Sequence, residues 1–133
     1  MDDKQKSGPS QVSWEGDSRH VLCSFPIKIR RYLGADLRRV QVGEKPFDSR
    51  SMKSIGRGVF ELRQRDQRGW YRLVYLAKVE NTIYVLHCFE KRSRKTPQKD
   101  LDTAKVRLKA VRERLRDKKK KENKHGNTKK SGK

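Results

Sequence analysis

The segment YVLHCFEKRSRKTP, residues 84–97, brings a histidine, an aromatic ring and a run of cations within a few residues of each other. Alternation along an extended chain puts Ile83, Val85, His87, Phe89 and Lys91 on one face, with Tyr84, Leu86 and Cys88 on the other. Arg92 and Arg94 follow, and Lys95 stands at the next turn. The set suits metal-free cleavage of an RNA strand. A 2′-hydroxyl attacks the adjacent phosphorus, and fixed lysine and arginine groups stabilise the extra negative charge of the phosphorane more than they stabilise the ground state. His87 is of a type that titrates near neutrality and suits proton transfer, and a tyrosine crowded by cations offers a second route. Phe89 presents a ring on which a base could stack, with Arg92 and Arg94 as further RNA contacts.

Each residue also has a plainer use. A single histidine within a strand is by default a satisfied, half-buried group. Arg63 and Arg72, both in β-like runs, would ordinarily be solvated or paired with acids such as Glu61. Phe89, Trp70 and Tyr75 are of types that fill cores. Cys23 and Cys88 lie in apolar contexts and read as buried, reduced packing residues, which fits a cytoplasm.

These side chains need a scaffold. GVFELRQ (58–64), WYRLVYLAKV (70–79) and TIYVLHCFE (82–90) are rich in β-branched and aromatic residues. The loop RDQRG and the two-residue turn Glu80-Asn81 between them are short, so neighbours run antiparallel as a meander. QVSWEG (11–16) suggests a short strand, and Asp17 or Ser18 would cap a brief helix over RHVLCSF. Pro26 suits the first turn of a second helix, with Ile29, Leu33, Leu37 and Val40 on one stripe, Gly34 as a bend or break, and Gly43 as terminator. Thr96-Pro97 opens a closing helix whose stripe is Leu101, Ala104, Leu108, Val111 and Leu115. The expectation is an α+β domain, β-α-α-β-β-β-α in order, with helices packed on a small antiparallel sheet.

The chain has 133 residues, a hydrophobic fraction of 32% and a formal net charge of +20. That bounds it to one modest core and favours polyanionic partners such as nucleic acid or the ribosome. Residues 1–10 read as a flexible leader, 11–116 as the domain, and 117–133 as a disordered tail. The tail holds eight lysines and two acids, a net +6, so the body keeps +14 without it. No segment reads as a signal peptide or a membrane span, and a soluble cytoplasmic protein is expected. No phosphate loop, CxxC pair or His/carboxylate cluster supports a nucleotide or metal cofactor.

The series SFPIKIRRYLGADLRRVQVGEKP, MKSIGRGVFELR, GWYRLVYLAK and IYVLHCFEKRSRKTPQKDLDTAKVRL, from about Val12 to Leu115, resembles the phage-derived HigB-like branch of the RelE/ParE toxin superfamily. The resemblance implies a RelE-like fold and ribosome-dependent mRNA endonuclease activity. It also implies neutralisation by a cognate antitoxin, commonly a helix-turn-helix DNA-binding protein. It assigns Arg63 and Arg72 to the phosphate and matches His87, Lys91 and Lys95 to the polar positions of the family's LHxFxKKxxKTP segment, with Tyr75 as a further member. Glu90 and Arg92 depart from that segment; Arg92 keeps the charge. Two other readings stay open: a toxin of this fold that blocks a protein target such as gyrase, and a basic RNA- or ribosome-binding module.

Overall fold

In the computed structural model the elements are β1 (Gln11–Trp14), α1 (Ser18–Ser24), α2 (Ile27–Gln41), β2 (Ser49–Ser51), β3 (Val59–Arg65), β4 (Trp70–Val79), β5 (Thr82–Lys91) and α3 (Gln98–Ser131). The structure describes residues 8–92 and 96–131, with backbone alone beyond Glu122. The α+β class and the order of the expected elements hold, with one addition. The strands form a single sheet in the order β1-β5-β4-β3-β2.

Strands β3, β4 and β5 make the expected antiparallel meander. The turn between the last two places both Glu80 (φ 50°) and Asn81 (φ 64°) in the left-handed region, the backbone that matches the twist of a two-residue hairpin. Two features modify the small antiparallel sheet. Strand β1 pairs parallel with β5, so the sheet is mixed, and the polar triplet Ser49–Ser51 adds an edge strand on β3. Ser-Arg-Ser carries no apolar residue, which is why alternation could not reveal it.

Opposite faces of the sheet bury different helices. Leu22, Phe25, Ile29, Leu33 and Leu37 of the α1–α2 layer pack on Leu62, Leu73, Tyr75 and Val85. Ala104, Leu108 and Val111 of α3 pack on Val59, Val74, Leu76, Leu86 and Phe89. Strand alternation does not run unbroken through β5. Val74 pairs with His87 while Tyr75 pairs with Val85, so Leu86 is a bulge residue and the phase flips there. Cys88 therefore joins Ile83 and Val85 toward α1 and α2. His87, Phe89 and Lys91 share a face as expected, but with Tyr84 and Leu86 rather than with Ile83 and Val85.

Gly34 does not break α2, which is continuous across it; Gly43, at φ 81°, follows its end. Helix α3 carries the expected stripe but does not stop near residue 116. It continues to Ser131 through lysine-rich sequence, which has good helix propensity, where disorder was expected from residue 117. At the other end Ser10 is buried, its N–H donating to Gln41 O at 2.9 Å, while residues 1–7 of the expected leader lie outside the described residues. Among the described residues no helix is long and apolar enough to cross a membrane.

Candidate functional site

Register now fixes which strand residues meet. On the α3-facing side, Arg50, Glu61, Val74 and His87 form one row across β2 to β5. Arg63, Arg72 and Phe89 form the next, and Arg65, Trp70 and Lys91 the third. Helix α3 packs over the apolar members of this face. Beyond it lies a cluster of cations around one ring.

Arg72 is buried, 1% exposed, and its Nη1 donates to Oε1 of the fully buried Glu61. The same oxygen pairs with Arg50 Nε at 3.2 Å. Arg63 Nη2 donates to Asp48 Oδ1 at 3.3 Å. Asp48 is itself placed by Asp36 of α2, a buried carboxylate that accepts from Arg39 Nη1 at 3.0 Å and from the Phe47 N–H at 3.0 Å. Three guanidiniums surround the half-buried Trp70, at 5.4 Å (Arg63), 5.3 Å (Arg65) and 5.7 Å (Arg72), within cation–π range.

The electrostatics follow from this crowding. Burial pulls the Arg72 pKa below its ordinary value; Glu61 opposes the shift, and Arg50 and Arg63 add to it. Lys91 is 5% exposed, and its Nζ donates to Thr96 Oγ1 at 3.5 Å. Burial first, then the nearby Arg72 charge, lowers its pKa to about 8, with Glu61 opposing. An ammonium poised that close to neutrality can give up its proton under physiological conditions.

The remaining expected residues separate. His87 does lie on this face, but both ring nitrogens are engaged. Arg107 Nη1, a donor only, lies 3.3 Å from Nδ1, so Nδ1 accepts and the hydrogen is assigned to Nε2, which lies 2.7 Å from Asp100 Oδ1. Arg107 also donates to Leu86 O at 3.0 Å and to Asp17 Oδ1 at 2.9 Å. His87 thus fastens α3 to the bulge. Phe89, expected to stack on a base, is buried in the α3 core, its ring stacked on His87 at 5.1 Å. Tyr75 does not join the cluster. Strand alternation turns it to the α1–α2 side, where it stacks on Phe60 at 5.9 Å, and burial, with Asp36, raises its pKa to about 12.

Arg92 is exposed at the rim of a depression lined also by Gln67, Arg68, Glu90, Lys91 and Asp100. Arg94 and Lys95 lie outside the described residues. Cys23 is exposed, contrary to expectation, because α1 turns it away from the sheet; Cys88 is buried and burial pushes its thiol pKa up. Alternation alone places Trp70 on one strand face with Arg72, although its type reads as core; Arg50, on a strand with no apolar periodicity, escaped the sequence reading.

The model of the phage-derived Gp49-like family matches residues 20–109. The chain belongs to that family, one of RelE/ParE-type toxins. No curated protein matches this Gp49-like chain. Among solved structures it is similar to the E. coli toxin RelE, an arginine-to-alanine double mutant in the free state, with a TM-score of 0.54 and 13% identity. That likeness covers 75% of this chain and 97% of RelE. At such identity it is a likeness of fold, and the RelE-like architecture is present.

Proposed function

We propose that this Gp49-like toxin is a ribosome-dependent mRNA endonuclease that a cognate antitoxin, of the helix-turn-helix DNA-binding kind, neutralises. The observation that carries the reading is the cluster of Arg63, Arg72 and Lys91 around the half-buried Trp70, on the sheet face beside the apolar patch that α3 packs on. Arg63 holds the scissile phosphate and the buried Arg72 adds its charge from beneath, and these fixed charges favour the phosphorane over the diester. Trp70 supplies the stacking surface for a base, in place of Phe89, whose ring is already stacked on His87 in the α3 core.

Lys91 is the proton-transfer group. Its neutral amine takes the 2′-hydroxyl proton as the 2′-oxygen bonds to phosphorus. The bond from phosphorus to the 5′-oxygen then breaks, leaving a cyclic phosphate and, after protonation by water, a 5′-hydroxyl. His87 is a positioning residue that holds α3, and with it Thr96 beside Lys91, against the sheet. Lys95 belongs to the phosphate-binding set by its match to the family segment.

The test is induction of the chain in cells with mapping of mRNA 5′ ends. New 5′-hydroxyl ends within translated regions are expected, and Lys91→Ala should remove them while the protein stays folded. Growth arrest with intact mRNA would overturn the reading and favour a toxin that blocks a protein target.

A further inference from the structure

We propose that Arg50, on the edge strand β2, is the seat of a second phosphate of the RNA chain, next to the scissile one, and that Glu61 holds it ready. The inference rests on the RNA-cleaving reading for the identity of its ligand and goes beyond it by adding a binding subsite.

Three observations support the seat. Arg50 stands one row along and one strand over from Arg63 on the same face, a Cα separation of about 8 Å, with Arg72 one strand further on. That is the order of spacing between successive phosphates, so a strand seated on the Arg63–Arg72 pair reaches Arg50 with its neighbouring group. The second observation is the geometry of the side chain. Its Nε is tied to Glu61 Oε1 at 3.2 Å, yet the side chain remains 48% exposed. Among the described residues the terminal nitrogens meet no acceptor, so the outward edge of a fixed guanidinium faces solvent. A planar fork anchored at one edge and open at the other matches two phosphate oxygens.

The third is charge. Arg50, Arg63, Arg65 and Arg72 stand against Glu61 and Asp48, an excess of +2, before any charge on Lys91, that a single phosphodiester does not neutralise. An ordinary edge-strand arginine would be solvated and free to rotate, at an entropy cost when it binds. Here the carboxylate that orients Arg72 in the centre also orients Arg50 at the edge. Glu61 is fully buried, so it does not reach the ligand; it fixes Arg50, which does, and Arg72, whose charge acts from beneath. RNA therefore crosses the strands from the β2 edge toward Trp70 and Lys91.

The experiment measures binding of the full chain, off the ribosome, to short RNAs made uncleavable by a 2′-O-methyl group at the scissile nucleotide. A set of such RNAs each carries one uncharged methylphosphonate, stepped along the strand. Arg50→Gln, compared with wild type at a temperature where both are fully folded, should bind the unmodified RNA about tenfold more weakly, with a salt slope smaller by about 0.7. Arg50→Lys should restore the slope and only part of the affinity, since it keeps the charge and loses the fork. At one methylphosphonate position flanking the scissile phosphate, wild type and Arg50→Gln should bind alike. An unchanged salt slope, or an Arg50→Gln deficit that persists at every methylphosphonate position, would overturn the seat, as would wild-type protein that fails to bind RNA. The readout needs no cleavage. Absence of mRNA cutting in cells would sink the endonuclease reading and leave the subsite standing.

Discussion

The two faces of this sheet are built by different rules. Toward α1 and α2 the strands present Leu62, Leu73, Tyr75, Val85 and Cys88, which bury continuous apolar surface. Toward α3 the same strands alternate into two zones. Val59, Val74, Leu76, Leu86 and Phe89 pack under the helix, and Glu61, Arg63, Arg72 and Lys91 lie beside them. One residue step along β4, from Leu73 to Arg72, passes from a pure core to a buried charge. Burial of an ion pair adds little net stability, and often less than an apolar pair of the same volume. The first face explains why the chain folds. The second holds charge in a low-dielectric setting where it acts strongly on a bound anion.

Substitution at that step should separate the two roles. Arg72→Ala strands Glu61 with Arg50 as its remaining guanidinium partner, and a loss of about 3–5 kcal/mol is expected together with loss of cleavage. The double change Glu61→Leu, Arg72→Leu should recover most of that stability, because apolar pairs replace buried ion pairs at little cost, and none of the cleavage. Leu73→Ala, on the opposite face, should lose about 2–5 kcal/mol while cleavage per folded molecule is kept. Urea unfolding and ribosome-dependent cleavage read both quantities. A double variant that still cuts mRNA would erase the distinction between the faces.

The same contrast explains what the sequence made legible. The meander, the stripes on α2 and α3 and the Glu80-Asn81 turn follow from local periodicity and turn chemistry, and they survive intact. So does the company of Arg72 with Trp70, since two residues apart on one strand they share a face. The bulge at Leu86 is another matter. It is a mismatch between two strands, has no marker in either alone, and moves Ile83 and Val85 away from His87. Tyr75 stood opposite Arg72 by simple alternation, so its place among the candidates came from the family resemblance, and the geometry removes it. Arg50 was illegible because its strand exists only by pairing with β3. His87 was legible as a position; its two engaged nitrogens depend on Asp100 and Arg107, one helix away.

Lys91→Met should lower cleavage by about 10²–10⁴-fold while raising stability at neutral pH. The sign follows from the depressed pKa. Lys91 titrates near 8 in the folded chain against an ordinary value of 10.5, so between those values the unfolded chain binds more protons. The Lys91 contribution to wild-type stability is lowest below pH 8 and rises toward pH 10.5. The methionine variant lacks that rise, so its advantage should be greatest below pH 8 and shrink above it. For wild type, cleavage should climb with pH and level off above about 8. A flat profile between pH 6 and 9 would remove Lys91 from proton transfer and leave it as a fixed charge.

The smallest effect is expected on the outer side of α2, farthest in character from the cation cluster. Gly34 is exposed in mid-helix, and a Cβ added there meets nothing within 4 Å. Gly34→Ala should therefore stabilise the protein by about 0.5–1 kcal/mol through the lower entropy of the unfolded chain. Thermal or urea unfolding measures that gain, and ribosome-dependent cleavage should stay unchanged. The control is informative because α2 also carries Asp36, which places Asp48 and through it Arg63. A gain in stability with unaltered cleavage would show that this positioning path depends on the buried side of α2 alone. A fall in cleavage would mean that stiffening the helix shifts Arg63, and the line between the folding face and the chemical face would have to be redrawn through α2.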